Sequence, residues 1–144
     1  MKLGEILNRK GWGTVNTEES INVETAARIM CDNRVGSAVI MSRDGGVAGI
    51  VTERDILRHF AEKGATLGEM GVRSVMSRKP RTGTPETRVE EAMQIMTEHR
   101  FRHMPVLDGE GRLVGLVSLG DLVKARLEEK ATEAENLREY IAHS

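Results

Sequence analysis

Residues 23–55 and 89–121 align without a gap at an offset of 66. Ten of the 33 aligned positions are identical: Val23/Val89, Glu24/Glu90, Ala26/Ala92, Ile29/Ile95, Met30/Met96, Arg34/Arg100, Gly45/Gly111, Gly49/Gly115, Val51/Val117 and Asp55/Asp121. Average composition would give about two. Others are alike in kind, including Ile40/Val106, Asp44/Glu110, Ile50/Leu116 and Thr52/Ser118. A repeat of this length predicts two similar units packed on each other. Each unit, at roughly 60 residues, is marginal for an independent core, so the two should share apolar surface. A pair of this kind leaves clefts between its halves, where small ligands bind.

The totals narrow the classes. The 144 residues carry 21 basic and 22 acidic side chains, a near-balance that argues against a broad nucleic-acid or membrane surface while allowing a local basic pocket. One cysteine, Cys31, excludes an internal disulfide and suits a reducing compartment. No stretch approaches membrane-spanning length and the N-terminus lacks a signal-peptide apolar core, so the expected location is the cytoplasm. Cys31, beside an apolar stripe, is expected to be a packed thiol, and Trp12 to pack beside the first lead-in segment.

Within each unit the periodicity changes in the same order. Val23, Ala26, Ala27 and Met30 follow i, i+3, i+4, i+7, as do Val89, Ala92, Met93 and Met96, which predicts one helix per unit. Thr87 and Glu90 have the spacing of a capping box for the second. Apolar runs follow, 38–41 then 47–51 and 104–107 then 113–117, separated by Asp/Gly-rich turns, and predict two hairpins. Pro105 lacks an N–H and belongs at a strand start or an edge. A second helix follows each hairpin, from Glu53 and from Leu119. The expected fold is therefore α/β (α+β). Its first unit covers 1–71 with an extended lead-in, its second covers 72–128 and opens on a short helix over 72–76, and a helical extension covers 129–144. Val123, Leu127, Lys130, Ala134, Leu137 and Ile141 trace a weak heptad there, readable as a solvated tail or as a dimerisation helix in which Leu137, Tyr140 and Ile141 dock on a partner.

The most specific chemical feature is Gly49-Ile-Val-Thr-Glu-Arg-Asp55, echoed as Gly115-Leu-Val-Ser-Leu-Gly-Asp121. A strand delivers a hydroxyl and, three residues later, a carboxylate opens a helix. These can simply be helix caps favoured by the helix dipole. They can also present a helix N-terminus to a phosphate and a carboxylate to a ribose diol. Two copies in register favour the ligand.

The helix pattern V-x-x-A-x-x-x-M, an apolar strand and then G-h-V-[T/S]-x-x-D (h, apolar), all present twice, with His103-Met-Pro-Val106 before the second hairpin, resembles the tandem cystathionine-β-synthase-type (CBS) domain pair, or Bateman module. The resemblance implies a stand-alone, non-catalytic regulatory module. It would bind an adenosine-containing ligand in the cleft between its units: AMP first, with ADP, ATP, NAD or S-adenosylmethionine as alternatives. Such a module would report energy or redox state to a protein partner. Carried over by position, Asp55 and Asp121 would hold ribose hydroxyls, with Thr52 and Ser118 near ribose or phosphate. Adenine would lie against Val15, Asn16, Ser37 and Ala38 in one unit and against Arg81, Thr82, Met104 and Pro105 in the other. Small pairs of this family associate through their helices, which implies a homodimer.

Phosphate calls for cationic donors. Arg54 supplies one in the first unit, but its repeat partner is Gly120. Arg102 and His103 supply two in the second, against Gly36 and Ser37. The two clefts should therefore differ in affinity. His99 and His103 have a metal-compatible spacing, but they should straddle a helix–strand junction, and no carboxylate or Cys completes a site. No activated nucleophile or Gly-rich phosphate loop is visible, so no catalytic residue is assigned. The rival to a nucleotide-binding module is a structural interaction module whose clefts stay empty.

Overall fold

The computed structural model describes residues 1–143; Ser144, the last residue of the expected extension, lies outside the described residues. The elements run α1 (Leu3–Lys10), β1 (Asn16–Glu18), α2 (Val23–Asp32), β2 (Ser37–Met41), β3 (Val47–Thr52), α3 (Glu53–Lys63), two short 3-10 segments (Gly64–Glu69 and Val72–Ser74), β4 (Ser77–Arg78), α4 (Val89–His99), β5 (His103–Leu107), β6 (Leu113–Ser118) and α5 (Leu119–His143). The mixed α/β class read from the sequence is the class observed, and the helix predicted over 72–76 is a single 3-10 turn.

The repeat is preserved in the backbone. The hairpins β2–β3 and β5–β6 are antiparallel, pair Ser37 with Thr52 and His103 with Ser118, and both slip register at equivalent points, Ile40/Met41 and Val106/Leu107. Arg34 and Arg100, identical in the repeat, both adopt φ 56°, a left-handed conformation that ends α2 and α4. The capping box expected at α4 does not form. Arg88 is its N-cap, the Thr87 hydroxyl accepts from the Thr84 N–H at 2.9 Å, and Glu90 pairs with Arg126 at 3.0 Å. Pro105 lies in the middle of β5, whose outer side carries only an isolated bridge between Gly83 and Val106, so its missing N–H breaks no continuous ladder.

The lead-in segments cross over. Leu3, Ile6 and Leu7 of α1 are buried with Val89, Ala92, Met96, Met104, Val106, Val117, Leu122 and Ala125, in the core of the second repeat. Leu67, Val72, Val75 and Met76 are buried with Val23, Ala26, Met30, Ala38, Ile40 and Val51, in the core of the first. Equivalent hydrogen bonds anchor the two: Leu3 N–H to Thr87 O and Val72 N–H to Ile21 O, both at 2.9 Å, with Val89 N–H to Met1 O at 2.9 Å and Val23 N–H to Met70 O at 2.8 Å. Burying side chains of this size stabilises by about 1.5–3 kcal/mol each, so each segment contributes materially to the core it enters.

The exchange explains the repeated glycine of the G-h-V motif. A Cβ at Gly49 would lie 2.5 Å from Ser77 O, and one at Gly115 would lie 2.7 Å from Leu7 Cδ1, because in each half the other lead-in passes over that strand. A third apolar cluster joins the halves: Val39 and Ile50 pack with Leu116, flanked by Met41, Val47 and Leu113. This is the seam between the two hairpins.

Candidate functional site

Each hairpin delivers its second strand directly into a helix, so the last strand residue caps that helix. At α3 the Thr52 hydroxyl accepts from the Asp55 N–H at 3.2 Å, while Asp55 Oδ2 accepts from Thr52 N–H at 3.0 Å and from Thr52 Oγ1 at 2.9 Å. At α5 Ser118 Oγ accepts from the Asp121 N–H at 3.1 Å, and Asp121 Oδ2 accepts from Ser118 N–H at 2.8 Å. Both carboxylates are thus fixed by reciprocal capping boxes. The cap reading and the ligand reading are compatible, since each carboxylate retains lone pairs at Oδ1.

The cations around the two acids differ. Asp55 is 8% exposed and its Oδ1 lies 3.3 Å from Arg58, one turn along its own helix. Asp121 is less buried, and its Oδ2 lies 2.8 Å from Nζ of Lys10, the last residue of α1. The same ammonium donates to Leu116 O at 3.0 Å. Burial pushes the Asp121 pKa up, but the Lys10 hydrogen bond and the Ser118 N–H outweigh this and hold it below the usual carboxylate range.

His103 stands opposite Ser118 on the paired strand. Burial lowers its pKa, Lys10 and Arg102 lower it further, and Asp121 and Asp55 oppose them. One imidazole therefore feels the acids of both halves. Ser37, at the equivalent position opposite Thr52, is half-buried and carries no charge.

Around this centre, Ala38, Met104 and Pro105 are buried on β2 and β5, and Val15 packs on the first core with its carbonyl accepting from Val39 N–H at 3.0 Å. Asn16 is exposed on β1, its side-chain amide turned to Thr14 O at 3.0 Å. Arg81 and Thr82 are exposed just ahead of Gly83, which bonds to Pro105 O at 2.9 Å. Arg54 is exposed on the first turn of α3. Arg102 is exposed and also lines a concavity of about 530 Å³ along α5 with Leu119, Val123, Lys124 and Leu127. A second concavity, of about 130 Å³, opens beside Asp121 between α1 and α5.

Two sequence expectations change, and one residue is added. Cys31 is exposed rather than packed, because it follows the buried Met30 by one residue and so faces off the stripe. Trp12 is half-exposed, its indole N–H donating to Asn8 Oδ1 at 2.8 Å. Lys10 was not foreseen at the site: it lies outside the gapless repeat, and only the crossing of α1 carries it to Asp121. Arg58, by contrast, was readable from its i+3 spacing to Asp55. His99 and His103 do fall on either side of the α4–β5 junction, and no group of three or more metal-ligating side chains exists among the described residues. No helix among them is long and apolar enough to cross a membrane.

Known proteins share both the pattern and the architecture. The model of the CBS domain matches twice, over residues 15–62 and 72–128. The CBS domain-containing protein CBSX3, mitochondrial, of Arabidopsis thaliana is 34% identical over 149 aligned residues, covering 96% of this chain and 71% of that protein. The crystal structure of a CBS-domain protein from Agrobacterium tumefaciens superposes with a TM-score of 0.79 at 35% identity, over 88% of this chain and 99% of that one. A CBS domain protein of Pyrobaculum aerophilum, solved in complex with AMP, superposes with a TM-score of 0.76 at 32% identity, over 92% of this chain and 99% of that one. With the twofold motif match, the crossed lead-ins and the duplicated Thr/Ser–Asp caps all agreeing, the chain belongs to the CBS domain family, as a tandem pair.

Proposed function

We propose that this CBS pair is a non-catalytic regulatory module that binds an adenine nucleotide beside the seam, AMP first, with ATP, ADP, NAD or S-adenosylmethionine as competing ligands. The observation that carries the reading is the duplicated capped carboxylate, Asp55 on Thr52 and Asp121 on Ser118, each at the end of a hairpin that meets the other at the Val39–Ile50–Leu116 seam. Each keeps acceptor capacity for a ribose diol. Thr52 and Ser118 lie beside them, near ribose or phosphate. Arg54, Arg102 and His103 supply phosphate donors. Adenine lies against Val15, Asn16, Ser37 and Ala38, or against Arg81, Thr82, Met104 and Pro105. The similarity to an AMP-bound CBS protein supports the ligand class. Binding across a seam favours the arrangement that closes it, and this is how occupancy would reach a cytoplasmic protein partner.

Titration calorimetry tests the reading. Asp55→Ala or Asp121→Ala should weaken AMP binding about 10- to 100-fold by removing acceptors for charge-assisted hydrogen bonds. Unchanged affinity in both variants would remove the ribose assignment. Thermal midpoints that stay flat with every nucleotide would favour the empty interaction module.

The same proposal includes a homodimer. Leu57 and Phe60 on α3, with Val123 and Leu127 on α5, are exposed, and Leu57 and Val123 occupy equivalent repeat positions. Two such faces related by the internal symmetry suit a second copy of the chain. Sedimentation at several concentrations should give twice the chain mass; a concentration-independent monomer mass would overturn it.

A further inference from the structure

Lys10 reaches Asp121 across 111 residues of chain and uses two of its three ammonium donors, on Asp121 Oδ2 at 2.8 Å and on Leu116 O at 3.0 Å. Its backbone is held in place independently. Ile6 and Leu7 of the same helix are buried, and the neighbouring Arg9 is tied to Glu128 on α5 at 2.6 Å. The ammonium borders the concavity of about 130 Å³ that Asp121 also lines, with Ile6, Arg9, Lys124 and Glu128. The ammonium already occupies Asp121 Oδ2, so a ligand that takes that oxygen must displace or share the Lys10 side chain. Lys79 stands at the repeat position of Lys10, yet among the described residues the ion pair of Asp55 is with Arg58 on its own helix.

We propose that Lys10 is the residue that makes the second cleft select phosphorylated nucleosides over the bare nucleoside. This rests on the ribose reading of Asp121 given above. A neutral nucleoside has to share Asp121 with an ammonium and offers that ammonium only uncharged acceptors in return. A nucleoside 5′-phosphate brings an anion of its own. The ammonium keeps Asp121 and turns its third donor to the phosphate, so the cation lies between two anions, while the ribose hydroxyls donate to the remaining lone pairs of Asp121. The selecting group comes from the crossing helix, so the occupant's phosphate is sensed directly by α1.

The test is calorimetry with AMP and adenosine, which differ only in the phosphate, on the full chain carrying Asp55→Asn to isolate the second cleft. AMP should bind about 10- to 100-fold more tightly than adenosine. Lys10→Met should bring that ratio close to one, chiefly by loss of AMP affinity, whereas Lys10→Arg should retain most of it. If thermal melting shows Lys10→Met to be unfolded, Lys10→Gln, which still donates to Asp121, is measured in its place. An AMP-to-adenosine ratio unchanged by these neutral substitutions overturns the role of Lys10 and leaves the ribose reading standing. Failure of the parent chain to bind either compound overturns both.

Discussion

Asp55 and Asp121 are the same residue twice: each is the third residue of a helix, clasped by the hydroxyl and the N–H of its cap. Their surroundings are not the same. Asp55 is nearly buried and paired along its own helix, whereas Asp121 is more open, paired to the end of α1 and set beside a half-buried histidine. Duplication preserved what the backbone requires, namely caps, turn glycines and crossing glycines. The copies diverged in the side chains that set charge: Ser37 against His103, Gly36 against Arg102, Arg54 against Gly120. In this duplicated scaffold the shared residues set the caps, turns and crossings together with the two carboxylates, and the differences fall on the charged side chains around them.

The largest expected effect probes the crossings. Gly49→Ala places a methyl group against the carbonyl of Ser77, fixed backbone, and should destabilise by about 1–3 kcal/mol or more. Gly115→Ala meets the Leu7 side chain, which can shift, and should cost less. Denaturant midpoints of the two variants check this; equal losses would mean that both crossings are equally rigid.

A middle-sized effect separates the charged half from the neutral one. His103 has a folded-state pKa below its ordinary value of about 6.5, so the unfolded chain binds the proton more readily. Its contribution to stability is complete above about pH 6.5 and is lost as pH falls through the lowered folded-state value. Unfolding measured from pH 7.5 downward should show that loss, and His103→Asn should flatten it. A slope identical in the variant would detach the histidine from the acid response. Asp121, also lowered, acts only in a more acid window. Its share is complete above about 3.9 and fades as pH falls through its folded-state value, so the two can be told apart.

The smallest effect should be symmetric. Arg34→Gly and Arg100→Gly each relieve a left-handed residue at a helix end and should raise stability by similar small amounts, at most about 1 kcal/mol. A large difference between them would show that one arginine has a further role, which thermal melts of the two variants would reveal.

Much of this was legible in the chain. Helical stripes, hairpins and the two hydroxyl–carboxylate caps follow from spacing alone, because each is a local pattern that tertiary packing reinforced. The crossing of the lead-ins was not legible. Leu3 and Val72 correspond at an offset of 69 rather than 66, so the gapless comparison ends before reaching them. Nothing in an amphipathic octamer says which of two similar cores it will enter. Lys10 was hidden for that reason. The Thr87–Glu90 spacing misled in the opposite way: a local motif was present, but Arg126 competed successfully for the glutamate.

The crossed lead-ins also set an order of assembly on the ribosome. The first core closes only after Met76 has been made, although its own helices are complete earlier. The α1 helix lies far upstream of its partners in the sequence, and the surface that shelters Leu3, Ile6 and Leu7 is not finished until Ala125. Closing that core therefore means joining residues more than a hundred positions apart, a non-local closure of the kind that slows folding.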